Sequence, residues 1–94
     1  MNLHRSTHLP EKPVKKKRRS KLLKEGYLTG DDIKSIRKKL GLTQKEMAEK
    51  LGVGLKTFAR YENFSVRQSK AMDNLLRILE RYPEALDILE NRRL

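Results

Sequence analysis

Thr43 and Glu46 stand three residues apart at the head of an apolar stripe, and Gly52-Val53-Gly54 closes that stripe before a second one begins. A T-x-x-E pair caps a helix. The hydroxyl accepts from the N3 amide, and the carboxylate reaches back to the cap amide. Leu42 and Met47 have the spacing of the accompanying hydrophobic staple. Met47, Ala48 and Leu51 then recur on one helical face. Gly52 accepts the left-handed backbone that a tight turn needs, and Val53 supplies an apolar plug for it. The spacing predicts a further helix over Leu55 to Asn63, with Phe58 and Tyr61 inward and Leu55 partly buried. Few chains meet all these local demands without folding into two short helices around one turn. Ala48 is small enough to let the two cross closely.

The same grammar appears on both sides. Thr29 with Asp32 forms a second capping box, and Leu28 with Ile33 a second staple. Ile33, Ile36 and Leu40 mark that helix's inner face, Gly41 ends it, and Arg37, Lys38 and Lys39 suit the negative end of its dipole. A fourth helix is predicted from Ser69 to Arg81, where Met72, Leu75, Leu76 and Leu79 fall at helical spacing. Pro83 suits the first turn of a fifth, whose apolar residues are Ala85, Leu86, Ile88 and Leu89. No segment alternates with period two as a strand would. The expected fold is all-α, with five helices in residues 27–94 preceded by a tail over residues 1–26.

That tail carries nine bases against two acids, with Pro10, Pro13 and the run Lys15-Lys16-Lys17-Arg18-Arg19. Like charges repel, and little apolar surface is present to offset ordering entropy. The segment is therefore expected to be disordered, with Lys21 to Lys24 forming a helical turn only when bound. A net charge of +11 on 94 residues draws the chain to polyanions. The absence of cysteine excludes disulfides and thiolate metal sites. His4 and His8 have a metal-compatible spacing but lack a third ligand, so no metal or cofactor is expected. Neither histidine lies in the predicted folded part, and no nucleophile with an oriented base is evident, so no enzyme is expected. No apolar run spans a bilayer and no signal-peptide pattern appears. The expectation is a soluble bacterial protein of the cytoplasm, associated with the nucleoid.

Two short helices around a glycine turn make a helix-turn-helix unit, whose second helix enters the major groove of double-stranded DNA. If Phe58 and Tyr61 point inward, Lys56, Thr57, Ala59, Arg60 and Asn63 occupy the free side. Arg60 is the foremost base-reading candidate, because its planar fork matches the two acceptors of a guanine edge. Lys56 reaches a base or a phosphate from one turn earlier. Gln44, at a helix start, suits a phosphate. Lys15, Lys16, Lys17, Arg18 and Arg19 are expected to follow phosphates or enter a minor groove as an arm. A solvated leader or a nuclear-import signal is the alternative for that run.

Leu42-Thr43-Gln44-Lys45-Glu46-Met47-Ala48-Glu49-Lys50-Leu51-Gly52-Val53 resembles the Xre/Cro, lambda-repressor-like family of repressors. The longer run through Lys56-Thr57-Phe58-Ala59-Arg60-Tyr61-Glu62, Gln68-Ser69-Lys70-Ala71-Met72-Asp73-Asn74-Leu75-Leu76-Arg77 and Tyr82-Pro83-Glu84-Ala85-Leu86 is similar to the DNA-binding half of MqsA-type antitoxins of type II toxin–antitoxin systems. The resemblance implies a homodimeric repressor that binds an inverted repeat in its own operon, with the positions of Lys56 and Arg60 on bases, and a toxin protein as a second partner. Such antitoxins often have Asn at the position of Lys56 and Gly at that of Phe64, so Asn63 is expected to take the left-handed cap here. They also carry a cysteine-ligated zinc domain that grips the toxin, and this chain has no cysteine. The competing readings are a module whose main partner is a protein, and an RNA binder; the latter lacks an exposed aromatic platform.

Overall fold

The computed structural model describes residues 13–90. Among these residues there are six α-helices and no strand: α1 (Pro13–Glu25), α2 (Gly30–Lys39), α3 (Gln44–Leu51), α4 (Leu55–Glu62), α5 (Lys70–Arg81) and α6 (Leu86–Glu90). A 3-10 turn at Pro83–Ala85 leads into α6. His4 and His8 lie outside the described residues.

The helix starts follow the capping residues. The Asp32 amide donates to Thr29 Oγ1 at 3.2 Å, and the Thr29 amide to Asp32 Oδ2 at 2.9 Å. The Glu46 amide donates to Thr43 Oγ1 at 3.1 Å, and the Thr43 amide to Glu46 Oε1 at 2.9 Å. Ser69 caps α5 by accepting from the Met72 amide at 3.1 Å. Each pair satisfies amides that a helix leaves without internal partners.

The ends of α1 to α4 share one device. In each, a left-handed residue lets its own amide and the next one turn back on the last carbonyls, as in the Schellman motif. Gly26, Gly41 and Gly52 fill that place after α1, α2 and α3, with φ of 77°, 73° and 81°. After α4 the residue is Phe64, with φ of 68°; its amide bonds to the Tyr61 carbonyl and that of Ser65 to the Arg60 carbonyl. This corrects the expectation for Asn63, whose φ is −98°. The side chain of Phe64 explains the exchange, because its ring is 3% exposed. Burying a large apolar group contributes about 1.5–3 kcal/mol, against roughly 1–2 kcal/mol for a left-handed non-glycine backbone.

What covers Phe64 is α1, and here the expected disorder gives way to a docked helix for residues 13–25, a sixth helix beyond the five anticipated. Leu22 is buried. Arg18 Nη1 donates to the Phe64 carbonyl at 2.7 Å, Lys15 Nζ and the Arg19 guanidinium lie 5.4 and 4.8 Å from the centroid of its ring, and Arg19 pairs with Asp31. Such a polyelectrolyte segment cannot order itself, but a surface on the rest of the chain orders it.

The core gathers Leu28, Ile33 and Ile36, then Met47 and Ala48 from α3, Phe58 from α4, and Leu76 and Leu79 from α5. Val53 and Leu51 pack against it at the turn, and Ala85, Leu86 and Leu89 close it from below. Leu55 departs from expectation by being 49% exposed. The α2 and α4 backbones meet at Gly30. A Cβ there would lie 2.4 Å from the Glu62 carbonyl oxygen and 2.8 Å from that of Tyr61. Those carbonyls belong to a helix end and cannot swing away. Gly30→Ala is expected to lower stability by about 1–3 kcal/mol in urea unfolding, despite alanine's higher helix propensity.

A buried polar knot ties the α1–α2 link to α5. Asp73 Oδ1 accepts from the Leu28 amide at 2.8 Å and from Gln68 Nε2 at 3.0 Å; Oδ2 accepts from Arg77 Nε at 2.8 Å. Gln68 Nε2 also donates to the Leu28 carbonyl, and Arg77 Nη2 to the Gly26 carbonyl. Burial pushes the Asp73 carboxyl up, but the bonds from Arg77, the Leu28 amide and Gln68 outweigh it and leave the group below its ordinary value of 3.8. The knot's contribution is therefore complete above the unfolded pKa and is lost as pH falls through the lower folded one. Asp73→Asn is expected to be less stable than the parent at pH 7, with the gap between their urea midpoints closing as pH drops below about 4.

Candidate nucleic-acid interface

The pairing of α3 and α4 rests on local chemistry. Gly52 ends α3, Val53 tucks under the turn, and α4 begins at once from Gly54. The small Ala48 is buried on α3. Phe58 is buried on α4, and its ring meets that of Tyr61 edge to face, with centroids 6.2 Å apart. That settles which side of α4 is inward.

The rotation of α4 is held from a second point. Glu62 is buried, and its carboxylate accepts from Arg37 Nε at 2.6 Å, Arg37 Nη2 at 3.2 Å and Gln44 Nε2 at 2.9 Å. Arg37 Nη1 also donates to the Leu42 carbonyl at 3.0 Å. One carboxylate thus joins α2, α3 and α4. The bidentate fork adds direction as well as attraction. The sequence marks Glu62 as a structural carboxylate that pairs with a nearby base and Arg37 as a helix-dipole residue, but it does not name them as partners, because they are 25 residues apart with no local signal between them.

The opposite side of α4 presents Lys56, Thr57, Arg60 and Asn63, all exposed, with Ala59 half-buried between them. Lys56 and Arg60 are one turn apart and form no ion pair or side-chain hydrogen bond among the described residues. Asn63 Oδ1 accepts from the Ser65 amide at 2.9 Å, so its amide nitrogen is the part left to reach outward. Gln44, expected at a phosphate, has its amide nitrogen engaged by Glu62.

The basic run divides. Lys15, Arg18 and Arg19 face Phe64 and Asp31, so the expectation of a free arm is corrected for them. Lys16 and Lys17 are exposed. No group of histidine, aspartate or glutamate among the described residues has metal-binding geometry. No helix there is long and apolar enough to cross a membrane.

These features define a small, strongly basic, all-helical protein built around two short helices and a glycine turn. The profile of the antitoxin component of bacterial toxin-antitoxin system, MqsA, matches residues 6–90, and the chain belongs to that family. Over 55 residues it is 44% identical to Antitoxin MqsA of Escherichia coli (strain K12). That match takes in 58% of this chain and 42% of the relative, so the chain spans less than half the length of the curated relative it matches.

Removing the Glu62 carboxylate strands a guanidinium that is 12% exposed beside it. Glu62→Ala is expected to destabilise the fold by about 3–5 kcal/mol in urea unfolding. Asp31→Ala, at a largely exposed partner, should change stability by less than about 1 kcal/mol in the same measurement.

Proposed function

We propose that this chain is a sequence-specific repressor of the Xre/Cro helix-turn-helix kind, the antitoxin and autoregulator of a toxin–antitoxin operon, and that α4 is its recognition helix. One observation carries the reading. The inner side of α4 is locked by Phe58 and Glu62, and the outer side offers Lys56 and Arg60, one turn apart and without an ion pair among the described residues. In a major groove Arg60 addresses the O6 and N7 acceptors of a guanine, a pairing worth about 1–3 kcal/mol of discrimination. Lys56, Thr57 and the Asn63 amide reach neighbouring bases or phosphates. The first-turn amides of α3 face the backbone.

The operator is an inverted repeat and the protein a homodimer on it, with recognition helices one DNA turn apart, about 34–36 Å. Ile78 and Tyr82 at the end of α5 and Ile88 on α6 supply apolar surface for the twofold contact; Ile88 is 72% exposed. Family membership favours a toxin protein as a second partner, bound elsewhere on the chain.

Selection from a random duplex pool at physiological salt should return two half-sites in inverted orientation at that spacing. Arg60→Ala should lose about 5- to 150-fold per half-site in preference for the selected sequence, with helicity unchanged. Full retention of the preference would rule out this orientation of α4.

A further inference from the structure

The bases of α1 fall on two sides of one helix, and the sides have different uses. Seven bases and a single acid occupy residues 13–25. Lys15, Arg18, Arg19, Leu22 and Glu25 make the docked side: they reach Phe64, Asp31 and Arg67. Glu25, the acid of the segment, is held by Arg67 at 3.1 Å. At 100° per residue, Lys16, Lys17, Ser20 and Lys24 lie on the other side, flanked by Lys21. All five are exposed, and none of the four lysines forms an ion pair or side-chain hydrogen bond among the described residues. The outward side is thus a ridge of lysines with no acid in it, bordered on its other edge by the exposed Leu23.

Two further facts give the ridge a direction and a partner. The anchor of α1 is Phe64, next to Asn63 at the close of α4, so the ridge starts beside the end of the helix assigned to the major groove. From Lys16 to Lys24 it runs about 12 Å, at 1.5 Å per residue. Successive phosphates of one strand advance roughly 3.4 Å along a duplex axis but lie farther apart along the winding strand, so the ridge spans about two or three of them. Lysines act on phosphates as flexible point charges and need no exact fork.

We infer that α1 is a preformed phosphate clamp: the Lys16, Lys17, Lys21 and Lys24 side chains lie along one strand of the duplex flanking the site read by α4. This rests on the reading of α4 above and deepens it. It differs from a disordered arm in the minor groove, because docking on Phe64 has already met the ordering entropy within the folded chain. The contacts add affinity and salt sensitivity without sequence preference.

The test is the salt dependence of binding by the full chain, with the selected operator and with an unrelated duplex, for the parent, for K16Q/K17Q/K21Q/K24Q and for Arg60→Ala. Glutamine keeps helix propensity close to that of lysine, and circular dichroism checks that α1 remains folded. The fourfold variant is expected to have a slope of log K against log salt shallower by at least 1 per protomer, and up to about 3.6, on both duplexes, with the preference between them kept within about threefold. Arg60→Ala should do the reverse, losing preference while changing the slope by no more than about 1. A slope shift below 1 in the folded fourfold variant overturns the clamp, while intact selectivity that depends on Arg60 leaves the α4 reading standing. Absence of duplex binding by the parent overturns both. Loss of binding to phosphatidylglycerol vesicles, with duplex binding unchanged, assigns the ridge to a membrane surface and also overturns the clamp.

Discussion

A single carboxylate fixes the orientation of α4 in this molecule. Glu62 receives the guanidinium of Arg37 from α2 and the amide of Gln44 from α3, and it sits in the last turn of α4. Apolar packing alone tolerates small rotations, since Phe58 and Tyr61 would still find contacts. A bidentate charge pair does not, because its strength falls steeply as angles open and a half-satisfied buried charge is costly. Replacing such a pair by apolar groups is often neutral for stability, so orientation is the better account of what it contributes here. With α4 fixed about its axis, Lys56 and Arg60 have one place to go, which is outward.

What the sequence made legible is what is local. The capping boxes at Thr29 and Thr43, the cap at Ser69 and the glycine ends at Gly41 and Gly52 involve residues within six positions of one another, so pattern and geometry coincide. The apolar stripes and the exposure of Lys56, Thr57 and Arg60 follow from helical period once Phe58 is taken as inward. The unread features are long-range. Gly30 is glycine because of carbonyls at positions 61 and 62, and Glu62 is buried because of Arg37. Nothing near either residue announces its partner. The structure of α1 belongs to the same class, since its composition names no partner for the segment and its anchor lies 46 residues away.

Phe64 shows how one position serves two ends. As the left-handed residue after α4 it stands where the three preceding helices have glycine, and glycine would be the less strained choice. Glycine would also leave α1 without its anchor. The ring attracts Lys15 and Arg19 through its face, each contact adding about 0.5–1 kcal/mol, and its carbonyl takes a bond from Arg18. Three cations of a self-repelling run thereby acquire partners, and Asp31 and Glu25 lower the charge on that side further. Had those cations stayed in water, the segment would have remained an extended polycation that approaches a duplex in many registers.

Docking on Phe64 selects one arrangement from that ensemble, and the selection has an electrostatic consequence. Partnered charges are gathered on the inner side of α1, so its outward charge comes from the lysines on its other side, while Lys56 and Arg60 supply that of α4. These two groups are joined through adjacent residues, Asn63 and Phe64, rather than through a flexible linker. A linker would let a basic segment contribute attraction alone, averaged over positions. A docked junction makes the position of one group depend on that of the other. On the proposed reading, phosphate contact by α1 would constrain the register in which α4 meets the bases, and sequence-blind contacts would in that way support a sequence-reading helix.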